Sequence, residues 1–316
     1  MDSFEEKRFD TGEIEINYVV GPKNGPPIVL IPGQGGDLTN YKDVLPRLSE
    51  NYHVYAVDVR GHGKSEWTTG DYSFTSIGRD MTAFLESVVK EPAIISGNSS
   101  GGLIALWLAV NRPTHIKGII LEDPPLFSAD WPRIKEDSLA YTALQVLVEM
   151  RKELYESHGI SGLAKTFMKV KRPLPNGKVR SVPRSAAYLI AFLIRMSQKF
   201  GSRKPRLPGL LGIILDMLDN YDTDFSQAWV DGRIYEGLNH VDALKRAECP
   251  MILLHANWVR HPDYGLSGAM DDDDATMARE LAPQLIYKRI DSGHVIHSNN
   301  PDLFISLVDE FVSTIG

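Results

Sequence analysis

The chain has 316 residues, of which 43% are apolar and 24% charged, with a formal net charge of -7 at pH 7. That balance can bury a sizeable core and excludes a disordered or fibrous chain, while its acidity argues against general nucleic-acid binding. Cys249 stands alone, which excludes an internal disulfide and a cysteine-built metal site.

The opening stretch "MDSFEEKRFD" lacks the basic-then-apolar pattern of a secretion signal, and runs such as "AAYLIAFLI" are too short to span a bilayer. A soluble, cytoplasmic protein without stable membrane insertion is expected. "EIEINYVV" then alternates polar and apolar residues, which predicts an early strand with one wet face. "PPIVLIPG", "HVYAVDVRG", "AIISG" and "IKGIILED" are short, continuous runs rich in Ile and Val, the kind covered on both faces in a parallel sheet. Between them fall helical spacings: Tyr41, Val44, Leu45 and Leu48, then Met81, Phe84, Leu85 and Val88, then Leu103, Leu106 and Ala109. Strand and helix alternate through residue 123, which predicts an α/β fold with a doubly wound, mostly parallel sheet.

From Phe127 to Asn239 the alternation stops. That stretch carries helical patterns and no convincing strand, broken by "RPLPNGK", "SVPRS" and "KPRLPG". An all-helical insertion after the sixth strand is expected, dividing the chain into a core of residues 1–126 and 240–316 and a cap of residues 127–239. The core resumes with the strand "PMILLHAN", the helix "DDATMAREL", the strand "QLIYKRI" and a helix from Pro301 to Thr314. Within the insertion no Asp or Glu falls between Ser157 and Leu215, while Lys165, Lys169, Lys171, Arg172, Lys178, Arg180, Arg184, Arg195, Lys199, Arg203, Lys204 and Arg206 do. This basic segment, 165–206, reads as a solvated helical surface, with attraction of an anionic substrate or an anionic membrane surface as the sharper readings.

Residues Gly97, Asn98, Ser99, Ser100 and Gly101 fit G-x-S-x-G between an apolar run and a helix pattern. A strand that turns sharply into a helix holds its turn residue in a strained conformation, and small residues two before and two after avoid a clash. Ser99 is then the exposed hydroxyl, and it needs a base, because a serine hydroxyl does not ionise at neutral pH. Of the nine histidines, His294 in "DSGHVIHSNNP" follows the last strand and precedes the last helix, so it emerges at the same sheet edge as Ser99. It is assigned as the base, with His297 as the alternative; His53, His62, His115, His158, His240 and His255 read as structural. Negative charge on a reacting carbonyl oxygen needs two fixed amides, assigned to Ser100 at the helix start and Gln34 in the glycine-rich turn "PGQGG".

Together "IPGQGG", "DVRGHGKS", "GNSSGG" and "SGHVIHSNNPDLF" resemble the α/β-hydrolase superfamily over residues 12–125 and 241–316, and the insertion looks like that family's cap. The resemblance implies a triad. Its usual acid position, shortly after "PMILLHAN", holds no Asp in this chain, whereas a minority of the family places the acid after the strand that follows the elbow helix. Asp123 in "IILEDPP" sits there and ranks first, ahead of Asp263 and of Asp271 to Asp274, which also read as the N-terminal caps of a helix.

What the resemblance implies is acyl transfer on a small-molecule ester or lactone, with no cofactor and no metal. Ser99, rather than an aspartate, disfavours the dehalogenase and epoxide-hydrolase branches. Phe127, Trp131 and Trp229, with Phe167, Tyr188, Phe192 and "LPGLLGIILDML", suggest a covered pocket for an apolar substrate. An acyltransferase, a carbon–carbon bond hydrolase or a non-catalytic ligand receptor on the same fold are the alternatives, and a homodimer is compatible with the sequence.

Overall fold

The continuous apolar runs become the middle of the sheet. The computed structural model describes residues 3–157, 159–173, 178–199 and 217–315. Its strands are β1 (Glu5–Asp10), β2 (Glu15–Val20), β3 (Pro27–Ile31), β4 (His53–Val57), β5 (Ala93–Asn98), β6 (Ile116–Glu122), β7 (Lys171–Pro173), β8 (Val179–Ser181), β9 (Met251–His255), β10 (Val259–His261), β11 (Gly265–Ser267) and β12 (Ile286–Arg289). Eight of them form one sheet in the order β1-β2-β4-β3-β5-β6-β9-β12. β1 pairs antiparallel with β2, and β2 antiparallel with β4. Every other pairing in the sheet is parallel.

Side chains alternate across a strand, so the two faces fill different cores. Val29, Ile31 and Ile95 enter one apolar cluster; Ile28, Leu30 and Ile94 enter the other. The helix Ser100–Asn111 is buried from Ser100 to Ala109, which is why it is apolar all round rather than striped. β1 escaped the sequence pattern because it is a charged edge strand, exposed along most of its length, with no buried face to impose a period.

Among the described residues, the stretch between β6 and β9 holds the α-helices Arg133–Asp137, Leu139–Tyr155, Ile160–Lys169, Arg184–Lys199, Thr223–Asp231 and His240–Arg246. It is not purely helical: β7 and β8 form a small antiparallel hairpin. Three-residue strands are too short to show a two-residue period, so helical spacing dominated the reading. A separate apolar cluster holds this part together, built on Met150, Leu154, Leu163, Phe167, Ala187, Ala191 and Ile194. His158, Arg203, Lys204, Arg206 and most of "LPGLLGIILDML" lie outside the described residues. Among the described residues no helix is long and apolar enough to cross a membrane.

Candidate active site

Ser99 links β5 to the helix Ser100–Asn111 with φ 54° and ψ -121°, a backbone conformation that a side chain rarely adopts. The flanking glycines are required by close approach. A Cβ on Gly97 would stand 2.1 Å from the Gly101 oxygen, and one on Gly101 would stand 2.3 Å from the Ile31 oxygen. The elbow is locked from behind, since the Ser99 amide donates to the Glu122 carbonyl at 2.8 Å. The loop after β3 lies against it: a Cβ on Gly33 would be 3.0 Å from the Ser99 Cβ.

Asp123 follows β6, also with a positive φ of 45°, and is 1% exposed. Its amide donates to the Leu254 carbonyl at 2.8 Å, and its Oδ1 accepts from the Ala256 amide at 3.0 Å. Thus anchored to β9 and its following loop, it presents Oδ2 at 2.7 Å from His294 Nδ1. An ionised carboxylate only accepts, so Nδ1 carries the proton and Nε2 is left as the acceptor nitrogen. Asn98 Nδ2 donates to the His294 carbonyl at 3.1 Å and fixes the histidine loop to the elbow. Burial by itself would lower the His294 pKa, but the hydrogen bond and charge of Asp123, assisted by the charge of Glu122, outweigh it and raise the pKa above its ordinary value.

Ser99 and His294 line one cavity of about 360 Å³. The hydrogen bonds of His294 run to Asp123 and Asn98, with none to the Ser99 hydroxyl, a contact that in ligand-free sites often tightens only when substrate binds. Gln34 and Ser100 line the same cavity, and neither of their amides donates to a backbone carbonyl among the described residues. The Gln34 side chain is drawn the other way, its Nε2 donating to Tyr221 Oη at 2.8 Å and Ser226 Oγ at 3.0 Å. Those two residues belong to the insertion's returning segment, which nothing in the sequence marked as a partner of the glycine-rich loop.

The remaining cavity wall is largely apolar. Leu139, Ala140, Ala143 and Leu144 contribute one face of the helix Leu139–Tyr155. Trp229 adds its ring, and Leu266 and Ala269 come from the segment after β9. Of the three aromatic residues expected to meet substrate, Trp229 alone is in this wall. Phe127 is 5% exposed within the main core, its ring 6.1 Å from His240 and its amide donating to His240 Nδ1. Trp131 is 43% exposed, is not among the residues lining the cavity, and lies 6.3 Å from the Tyr141 ring. Phe167 packs in the insertion's own core, and Phe192 is exposed. Sequence shows that these residues are apolar but not which apolar surface they share.

The other candidates are placed elsewhere. His297 is 1% exposed and held by Glu122, its Nδ1 at 2.8 Å from Oε2, outside the cavity wall. Asp263 sits in the turn between β10 and β11. Asp271 caps the helix Asp272–Leu281, accepting from the Asp274 amide at 3.0 Å, while Arg133 and Arg260 pair with this acidic cluster. His62 is fully buried, and burial pushes its pKa down to about 4. Among the described residues no group of three or more His, Cys, Asp or Glu is arranged to hold a metal ion.

A sequence model of the family described as alpha/beta hydrolase fold matches residues 26–170. The chain is 25% identical over 289 residues to the magnesium-chelatase 30 kDa subunit of Rhodobacter capsulatus, covering 88% of this chain and 83% of that protein. It is 28% identical over 110 residues to 3-oxoadipate enol-lactonase 2 of Acinetobacter baylyi, covering 34% of this chain and 41% of that enzyme, so less than half of the enol-lactonase is matched. Among solved structures, a thermophilic esterase from Thermogutta terrifontis superposes with a TM-score of 0.67 at 17% identity, covering 98% of this chain and 99% of the esterase. At that identity the likeness is one of fold.

Proposed function

We propose that this chain, whose residues 26–170 match the alpha/beta hydrolase family model and whose fold is that of an α/β hydrolase, is a serine hydrolase of carboxylic esters or lactones. Ser99 attacks the substrate carbonyl as His294 Nε2 takes its proton; Asp123 keeps the imidazole in the required tautomer and offsets the charge it gains. The amides of Gln34 and Ser100 hold the oxyanion. His294 returns the proton to the leaving alcohol, water then attacks the acyl-enzyme through the same base, and the acid is released with Ser99 restored. The insertion between β6 and β9 acts as the cap that closes the cavity over the bond to be broken.

The observation that carries this reading is the 2.7 Å contact between Asp123 and His294, on a histidine that shares a cavity with a serine in the strained elbow. Likeness to an enol-lactonase in sequence and to an esterase in fold supports it. A cavity of about 360 Å³ is at the low end of ligand pockets, about 300–1,000 Å³, and its aliphatic wall favours a small substrate with an apolar portion. The test is turnover of p-nitrophenyl butyrate by the wild type and by Ser99→Ala, together with covalent capture of the wild type by a fluorophosphonate. Turnover and capture that both vanish in Ser99→Ala support the proposal; an active Ser99→Ala overturns it.

One further reading has an observation behind it. A relative matched over most of its length is named a magnesium-chelatase subunit rather than a hydrolase, and on that ground the second reading is a non-catalytic ligand receptor on the same fold. Absence of turnover and of capture in the wild type would select that reading. If turnover is present, transfer to an added alcohol or thiol separates an acyltransferase from a hydrolase, and cleavage of a 1,3-diketone identifies a carbon–carbon bond hydrolase.

A further inference from the structure

Lys171 has no task in the scheme above. It opens β7 in the insertion, is partly buried, and lines the same cavity as Ser99 and His294. Among the described wall residues it is the one side chain with a fixed charge, and no carboxylate shares the wall with it. Its Nζ donates to Ser181 Oγ across the hairpin at 2.9 Å and lies 5.5 Å from the centre of the Tyr264 ring. Neither contact carries an opposite charge. Other cations of the same basic stretch are engaged elsewhere: Lys169 pairs with Glu149 at 2.7 Å, and Arg195 donates to the Leu154 carbonyl at 3.0 Å.

An ammonium has three N–H donors, and a single hydroxyl and an aromatic face occupy only part of that set, leaving room for an acceptor inside the cavity. A carboxylate is the group that completes such a site, because it brings the opposite charge that a neutral ester lacks as well as the acceptor oxygens. The reacting groups come from the core, whereas this cation comes from the insertion. We propose that Lys171 is an anion-recognition residue of the cavity and that the substrate is an ester or lactone carrying a free carboxylate in addition to the carbonyl that reacts. The second half of that statement rests on the hydrolase reading; the first does not.

The kinetic experiment compares the p-nitrophenyl monoester of glutaric acid with p-nitrophenyl pentanoate, which share a leaving group and differ mainly in the charge at the far end. The wild type is expected to favour the anionic ester. In Lys171→Met the ratio of the two kcat/KM values falls about 10- to 100-fold, chiefly through KM, and Lys171→Arg retains most of the ratio. No preference in the wild type, or a ratio unchanged in Lys171→Met, overturns the proposal. A binding experiment separates this outcome from failure of the hydrolase reading. Calorimetric titration of Ser99→Ala with monomethyl glutarate and with dimethyl glutarate should show a preference for the monoacid that Lys171→Met removes. That preference with no turnover in the wild type leaves the anion site standing without the esterase; turnover with no preference does the reverse.

Discussion

Two carboxylate–imidazole pairs leave the same strand end. Asp123 and His294 meet at 2.7 Å on the cavity, while Glu122 and His297, one and three residues away along the chain, meet at 2.8 Å in the interior. The inner pair is 0% and 1% exposed, and the His297 amide also donates to Glu122 Oε1 at 2.9 Å. The His297 ring stacks on Tyr41 with centres 4.1 Å apart, and its Nε2 is buried without a hydrogen-bond partner. The outer imidazole borders space that a substrate can enter; the inner one is packed on every side. The same pair of groups is therefore set in two different surroundings, the outer pair where the proposed proton transfer needs it and the inner one pinning the histidine loop against the sheet.

Removing the group that the outer pair is proposed to serve should have the largest effect. Ser99→Ala should lower kcat/KM for p-nitrophenyl butyrate by about six orders of magnitude, with a urea midpoint close to that of the wild type. Asp123→Asn breaks the outer pair while keeping an oxygen for the Ala256 amide, and should lower kcat by about 10⁴-fold. Glu122→Ala breaks the inner pair instead. Loss of one partner of a buried pair should cost about 3–5 kcal/mol in urea unfolding, with a smaller fall in the activity of the folded protein than in Asp123→Asn. Equal catalytic losses in the two variants would erase the distinction between the pairs.

The pH profile sharpens the same comparison at smaller amplitude. As the proposed base, His294 would act only when neutral, and its pKa is raised above the ordinary 6.5, so kcat/KM should rise with pH through an inflection above 6.5 and level off at higher pH. Asp123→Asn should move that inflection down, and Glu122→Gln should move it down by less, because Glu122 acts on His294 through charge alone. For stability the sign is opposite: the contribution of protonated His294 is fully present below its ordinary pKa and is lost as pH rises through the raised folded value. Gln34→Ala should have the smallest effect, less than about tenfold in kcat/KM, since the side chain holds Tyr221 and Ser226 while the backbone amide is the proposed oxyanion donor.

By itself, the sequence determined the parallel sheet, the interruption after β6 and the local pattern at residues 97–101, because each depends on neighbours in the chain. Runs such as "PPIVLIPG" are apolar throughout because both faces of β3 are covered, and the two glycines of the elbow are needed within a few residues of Ser99. The charged edge strand β1 and the hairpins β7–β8 and β10–β11 left no such trace, being exposed or only three residues long. The family resemblance ranked Asp123 ahead of Asp263 and Asp271 to Asp274, but only the tertiary structure brings it to His294, 171 positions away along the chain. The same holds for Trp229 in the cavity wall, Phe127 in the core and Trp131 at the surface: hydrophobicity drives burial without specifying a partner, and which surface an aromatic ring meets is decided when the helices pack.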